Sequence, residues 1–392
     1  MPAAPDRIPV SILTGFLGAG KSTLLNRILK DEASRDTAVI INEFGEVGID
    51  NYLVESSGDT VLELSNGCLC CTVRGELVDT LASLVDQIQT GRLKPIRRVV
   101  IETTGLADPA PVMQAVLGNP VIAQSFQLDG LVTVVDAVHG LTTIERYPEA
   151  KRQVAVADRL ILSKKTLADA AQIRSLRARL AELNPRARVL DGDLPEAGRA
   201  GVLVNGLYDP DSKIPDVARW LSEDDHHDHH HDHDHSDDHD HHGHDHHHHD
   251  HDGHRHHHHH HHDVNRHGED IRSFSILHDR PIDPMAIEMF VDLLRSAHGE
   301  KLLRMKAIVQ LSDNPERPLV LHGVQSIFHP PERLPRWPEG SDRRTRMVII
   351  AQGLSEEFVT DLFSAFTGQP RVDRPDRAAL EDNPLAVPGL KM

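Results

Sequence analysis

Over the first half of the chain, short apolar runs alternate with stretches of helical spacing. Residues 10–13 form an apolar run that ends at a glycine-rich turn, and residues 22–30 then carry helical character. Further runs at 38–41, 61–64, 99–101, 131–135 and 160–162 read as strands, with helical patterns at 76–89 and 168–183 between them. This alternation predicts an α/β domain with a mostly parallel sheet, closing near Trp220.

The pattern then stops. Residues 226–262 hold 24 of the 30 histidines, interleaved with aspartate and without a large apolar residue. Such a run cannot bury a core, so it is expected to be disordered when free of metal. Periodicity resumes near Ile271. Asp283 followed by Pro284 suits a helix start, and Ile287, Phe290, Val291 and Leu294 follow at helical spacing, with Gly299 as a stop. Strands are expected at 307–311, 319–321 and 347–351, and a last helix at 355–366. Together these predict a small α+β domain. The resulting division is a nucleotide-type domain over 1–221, a His/Asp-rich metal-binding linker over 222–268, a second domain over 269–370 and a flexible tail over 371–392.

Composition narrows the function classes. The 392 residues suffice for two domains plus extras. A formal net charge of -18 argues against nucleic-acid binding and against docking on anionic membranes. No run of roughly 18 apolar residues is present to cross a bilayer. The first seven residues lack the apolar core of a signal peptide. The 3 cysteines are Cys68, Cys70 and Cys71, a spacing that fits no disulfide framework. A reducing, cytoplasmic location is therefore expected.

Two motifs carry chemistry. Residues 15–22, GFLGAGKS, fit G-x-x-x-x-G-K-[ST] between an apolar strand and a helix, the context that a phosphate-binding loop requires. Gly15, Gly18 and Gly20 let backbone N–H groups turn towards phosphate oxygens, with Ala19 between them. Lys21 supplies a charge for the β/γ-phosphates, Ser22 a hydroxyl for Mg²⁺, and Thr23 continues the helix N-terminus. Downstream, the run 99–101 ends in Glu102, which delivers a carboxylate to the Mg²⁺ region, and Gly105 can offer its N–H to a γ-phosphate. Ser163 and Lys164 resemble the start of an [NST]-K-x-D guanine-specificity loop. Thr166 stands at the position of its Asp, so the paired acceptor for guanine is missing there. The nearest carboxylate downstream is Asp169.

The second motif is GCLCC over 67–71. Three thiols within four residues suit a soft ion such as Zn²⁺, and a redox role would more usually show C-x-x-C spacing. Glu43 or Glu46 could add an oxygen ligand. The histidine run offers many weak, interchangeable imidazole sites.

These residues together resemble the CobW family of metal-handling P-loop GTPases. The matches are GFLGAGKST at 15–23, NEFGEVGID at 42–50, GCLCC at 67–71 and ETTGLADP at 102–109. LLRMK at 302–306 and HGV at 322–324 resemble the family's C-terminal domain. The resemblance implies GTP hydrolysis to GDP and phosphate, coupled to transfer of a metal to a client metalloprotein. It also implies that Asp50 belongs to the first switch, Glu102 and Gly105 to the γ-phosphate sensor, Ser163 and Lys164 to the base loop, and Cys68, Cys70 and Cys71 to the metal. Zinc is the expected cargo. The alternatives are cobalt, in cobalamin synthesis, and a metal store in which the nucleotide is only structural. Oligomerisation is compatible with all three.

Overall fold

The computed structural model describes residues 7–42, 60–63, 70–204, 271–338 and 341–368. The expected closure near Trp220, the histidine run and the tail lie outside the described residues.

The first domain contains a seven-stranded sheet: β1 (Ile8–Gly15), β2 (Thr37–Asn42), β3 (Thr60–Glu63), β4 (Arg98–Thr103), β5 (Phe126–Asp136), β6 (Arg159–Ser163) and β7 (Arg188–Asp191). Their order is β3-β2-β4-β1-β5-β6-β7, and every pairing is parallel. Helices cover both faces, so the strands read as continuous apolar runs rather than alternating ones. On one face Ile12, Ile40 and Ile101 pack with Leu77, Leu81 and Leu84 of α2 (Cys70–Gln89). On the other, Val39, Val100 and Val132 pack with Leu24, Leu25 and Ile28 of α1 (Lys21–Leu29). Four short helices, α3 (Ala110–Gly118), α4 (Pro120–Ser125), α5 (Gly140–Arg146) and α6 (Pro148–Ala155), were not foreseen. The first two of these, and α6, begin at or beside a proline, and all are too short for a periodic signal. α7 (Ala170–Leu183) matches its expected span.

The second domain is an antiparallel sheet in the order β11-β10-β9-β13-β8, with β12 also pairing β10. The strands are β8 (Ile271–His278), β9 (Leu302–Val309), β10 (Leu319–Val324), β11 (Ile327–Phe328), β12 (Glu332–Arg333) and β13 (Thr345–Gln352). Helices α8 (Pro284–His298) and α9 (Glu356–Phe366) cover one face, with Phe290 and Phe363 meeting edge to face at 5.3 Å. The capping foreseen for α8 is present: Asp283 Oδ1 accepts the Met285 N–H at 2.8 Å. Three expected starts are corrected: β5 begins at Phe126 rather than at 131, β9 at Leu302 rather than at 307, and α2 at Cys70 rather than at 76.

The other face of this sheet rests on the first domain, where Leu303, Val324 and Ile350 join the core of the parallel sheet. A buried ion cluster fixes the contact. Asp158, just before β6, accepts from Arg304 at 2.7 Å and from Lys306, while Arg304 also donates to the Val156 carbonyl. Asp158 also accepts the Leu131 N–H at 2.8 Å. Burial alone would raise its carboxyl, but the Arg304 and Lys306 charges outweigh that and hold it well below the usual carboxylate range. His322 is buried beside these two cations. Desolvation, then their repulsion, pushes its imidazole well below the ordinary 6.5. No helix among the described residues is long and apolar enough to cross a membrane.

Removing one partner of a buried pair strands the others. Asp158→Ala is therefore expected to cost about 3–5 kcal/mol in urea unfolding at pH 7. Asp158's contribution is complete above the unfolded carboxyl's pKa near 3.8 and is lost as pH falls below it. His322 acts at higher pH. Below 6.5 the unfolded chain takes up a proton that the folded chain refuses, so stability falls with acidification. The expected slope is about 1 kcal/mol per pH unit between 6.5 and 5.5, reduced in His322→Gln.

Candidate nucleotide and metal site

The carboxyl ends of all seven strands lie along one edge, where open parallel sheets place their ligands. β1 sits between β4 and β5, and the loop leaving it turns directly into α1. Gly18 and Gly20 hold φ of 70° and 95°, values that side chains other than glycine resist. Gly15 is required for another reason: a Cβ there would lie 2.4 Å from the Val134 carbonyl oxygen. Lys21 and Ser22 open α1 as buried residues, and Thr23 is the exposed third. Lys21 Nζ turns back to donate to the carbonyls of Gly15 at 3.0 Å and Phe16 at 3.5 Å.

The register of β1 on β4 sets Leu13 beside Glu102. That brings the Glu102 carboxylate to the first turn of α1, where Ser22 Oγ donates to Oε1 at 2.9 Å. Glu102 is only 3% exposed, so its carboxyl group is held at the phosphate loop away from bulk water. Gly105 packs against the same loop, and a Cβ there would stand 2.5 Å from the Leu17 nitrogen. The turn carrying Gly105 is gripped from behind. Gln153 of α6 donates to the carbonyls of Gly105 at 3.1 Å and Ala107 at 2.9 Å, and Arg152 donates to Asp108 at 3.3 Å.

β5 and β6 build the next part. Ser163 Oγ donates to the Ala19 carbonyl at 2.6 Å, and Lys164, at φ 56°, donates to the Gly18 carbonyl and to Asp136 Oδ2, both at 2.7 Å. Burial would raise the Asp136 carboxyl, but Lys164 and the N–H groups of His139 and Val138 hold it below its ordinary value. Asp136 therefore fixes Lys164 against the phosphate loop. Thr166 donates its backbone N–H to Asp193 Oδ2 at 3.0 Å. Asp169 is a helix cap: its Oδ1 accepts from the N–H groups of Ala171 and Gln172, both at 2.8 Å.

The fold thus brings Gly15, Gly18, Ala19, Gly20, Lys21, Ser22, Glu102, Gly105, Ser163 and Lys164 to one edge. Cys70 and Cys71 begin α2, placed by their backbone alone, and Cys68, Glu43 and Asp50 lie outside the described residues. The segments that hold them leave from the same edge, because Asn42 of β2 pairs with Thr103 and Glu63 of β3 with Ile41. Asp136, Gln153 and Asp193 were not anticipated. Asp136 ends an apolar strand just as Glu102 does, a signal that was available; Gln153 sits in a short helix with no comparable mark.

Gly105→Ala should displace Leu17 and with it the phosphate loop. Nucleotide hydrolysis is expected to fall about 100-fold, as for other misplacements near 1 Å, with the thermal midpoint of the nucleotide-free protein nearly unchanged. Single-turnover hydrolysis and a thermal melt check both halves of this expectation.

A family model described as CobW/HypB/UreG, nucleotide-binding domain, matches residues 9–191. A second, described as cobalamin synthesis protein cobW C-terminal domain, matches residues 271–367. The zinc chaperone YjiA of Escherichia coli K12 is 32% identical over 366 residues, covering 92% of this chain and 98% of that protein. The zinc chaperone CobW of Pseudomonas aeruginosa is 36% identical over 224 residues, 48% of this chain and 58% of that protein. The crystal structure of Zn(II)-bound YjiA GTPase from E. coli superposes with a TM-score of 0.60 at 28% identity, covering 92% of this chain and 99% of that one.

Proposed function

Since the chain belongs to the CobW/HypB/UreG family and carries a cobW C-terminal domain, we propose that it hydrolyses GTP to GDP and phosphate and uses that reaction to deliver zinc to a client metalloprotein. The observation that carries this reading is the common edge: the phosphate loop, Glu102 and Gly105 lie on the strand ends from which the GCLCC segment departs into α2. A metal held by Cys68, Cys70 and Cys71 then lies within the part of the fold that answers to the γ-phosphate.

The residues fit the roles. Lys21 exchanges the carbonyls of Gly15 and Phe16 for phosphate oxygens when nucleotide enters. Ser22 and Glu102, buried and 2.9 Å apart, are hard oxygen donors of the kind Mg²⁺ takes, and these two residues would hold it. Bound there, it would neutralise charge building up between the β- and γ-phosphates. Gly105 offers its N–H to the γ-phosphate, and its carbonyl stays anchored on Gln153. Loss of that phosphate frees the 104–109 turn. Arg152, which grips Asp108, also donates to Gln352 of β13 at 3.3 Å, so the movement reaches the second domain. The thiolates suit Zn²⁺ and tolerate Co²⁺, and the histidine run collects either ion at high local concentration.

Steady-state GTP hydrolysis by the full chain in chelator-buffered zinc tests the coupling, with Cys70→Ala as the partner measurement. Zinc is expected to change wild-type turnover about five-fold or more and to leave Cys70→Ala unmoved. Turnover that is absent, or indifferent to zinc in the wild type, would replace this reading with a metal store in which nucleotide is structural. Cobalt titrated in place of zinc separates the two cargoes.

A further inference from the structure

The base loop lacks its acid. Ser163 and Lys164 occupy their places, but Thr166 stands where a carboxylate would accept the two neighbouring donors of guanine, its ring N–H and amino group. One threonine hydroxyl cannot accept both as an ionised carboxylate does. Asp169, three residues on, is tied to the first turn of α7: its Oδ1 accepts from Ala171 and Gln172, and its own N–H donates to Gln172 Oε1 at 3.0 Å.

A second carboxylate reaches the loop from the neighbouring strand. β7 ends at Asp191, beside Leu162 of β6, and the turn after it carries Asp193. Asp193 is exposed, and its Oδ2 accepts the backbone N–H of Thr166 at 3.0 Å. The carboxylate therefore lies against the residue whose side chain fails to supply one. Its position is built rather than incidental. The Gly192 N–H donates to the Leu162 carbonyl at 2.7 Å, and a Cβ at Gly192 would lie 2.6 Å from that oxygen, so only glycine allows this approach. The Asp193 N–H donates to Asp191 Oδ1 at 3.1 Å, and Lys165, next to Thr166, pairs with the other oxygen of Asp191. Arg27, on the helix that starts at the phosphate loop, donates to the carbonyls of Gly192 and, at 2.7 Å, of Leu194. The turn is thus clamped to both the base loop and α1 before any ligand arrives, which lowers the cost of ordering it on binding.

We propose that Asp193 is the guanine-specificity residue of this protein, replacing from the β7 turn the acid that Thr166 has displaced from the base loop. The inference rests on the proposed GTPase reading and adds the residue that selects the base. It also accounts for Lys165, whose pairing with Asp191 holds that turn against the loop.

Direct titration of the full chain with GDP, xanthosine diphosphate and ADP, with Mg²⁺ present, tests it on wild type and Asp193→Asn. Asparagine turns an acceptor pair into an acceptor and a donor, which suits the 2-oxo group of xanthine and opposes the amino group of guanine. Wild type is expected to prefer GDP over both others. Asp193→Asn is expected to lose GDP affinity by about ten-fold, the worth of a hydrogen bond to a charged acceptor, and to gain affinity for xanthosine diphosphate. Thr166→Asp in the Asp193→Asn background should restore GDP binding. If Asp193→Asn keeps GDP within two-fold, or weakens all three nucleotides equally, the proposal is overturned while the GTPase reading stands. If wild type binds GDP and ADP alike, or neither, guanine selectivity and the proposal fall together.

Discussion

Parallel pairing of β1 between β4 and β5 sets the positions of nearly everything that gives this molecule chemistry. The ladder aligns Leu13 with Glu102 and Gly15 with Val134, so the phosphate loop emerges flanked by one strand end that carries a carboxylate and another that allows only glycine beside it. A slip of one residue would turn Ile12 and Ile101 away from α2 and would withdraw Glu102 from Ser22. Burial of the apolar strand residues on both faces forbids that slip. The register that sets Glu102 beside Ser22 is thus enforced by the core, and the loop needs little stability of its own.

The second domain is tied to the same strands from below. Asp158 takes charge from Arg304 and Lys306 at the entry to β6, the strand whose far end supplies Ser163 and Lys164. A buried triad of this kind is weak evidence of net stability but strong evidence of a fixed docking geometry, since any other placement leaves charges unpaired in the interior. Against that fixed point the contacts between Arg152 and Asp108 or Gln352 are longer and partly exposed. The interface therefore combines a buried ion cluster with a longer, partly exposed contact beside the 104–109 turn.

How far the sequence revealed this depended on whether a residue's job was local. The phosphate loop was legible because its glycines, lysine and serine act within eight consecutive positions. The strands were legible because parallel pairing buries both faces and leaves apolar runs. β9 was read five residues short because Arg304 and Lys306 look like solvent-facing positions, when they face a partner domain 146 and 148 residues away in sequence. The resemblance to the CobW family had pointed to LLRMK without giving it a task; the structure assigns Arg304 and Lys306 to the domain contact. Asp169 is the carboxylate nearest to Thr166 downstream along the chain. Capping, a local need of α7, claimed it first, and the carboxylate near Thr166 came instead from Asp193, 27 residues downstream. Such substitutions across neighbouring strands leave no periodic trace.

The same logic bears on the cysteines. GCLCC lies where β3 passes into α2, and α2 is anchored through Leu77, Leu81 and Leu84 to the face of the sheet opposite α1. Its first turn has none of these anchors: Leu77 comes seven residues after Cys70. Cys70 thus precedes the first of these anchors by about two turns. On the proposed reading, coupling between nucleotide and metal would require only that the segments leaving those strand ends respond to the γ-phosphate, with the sheet itself fixed.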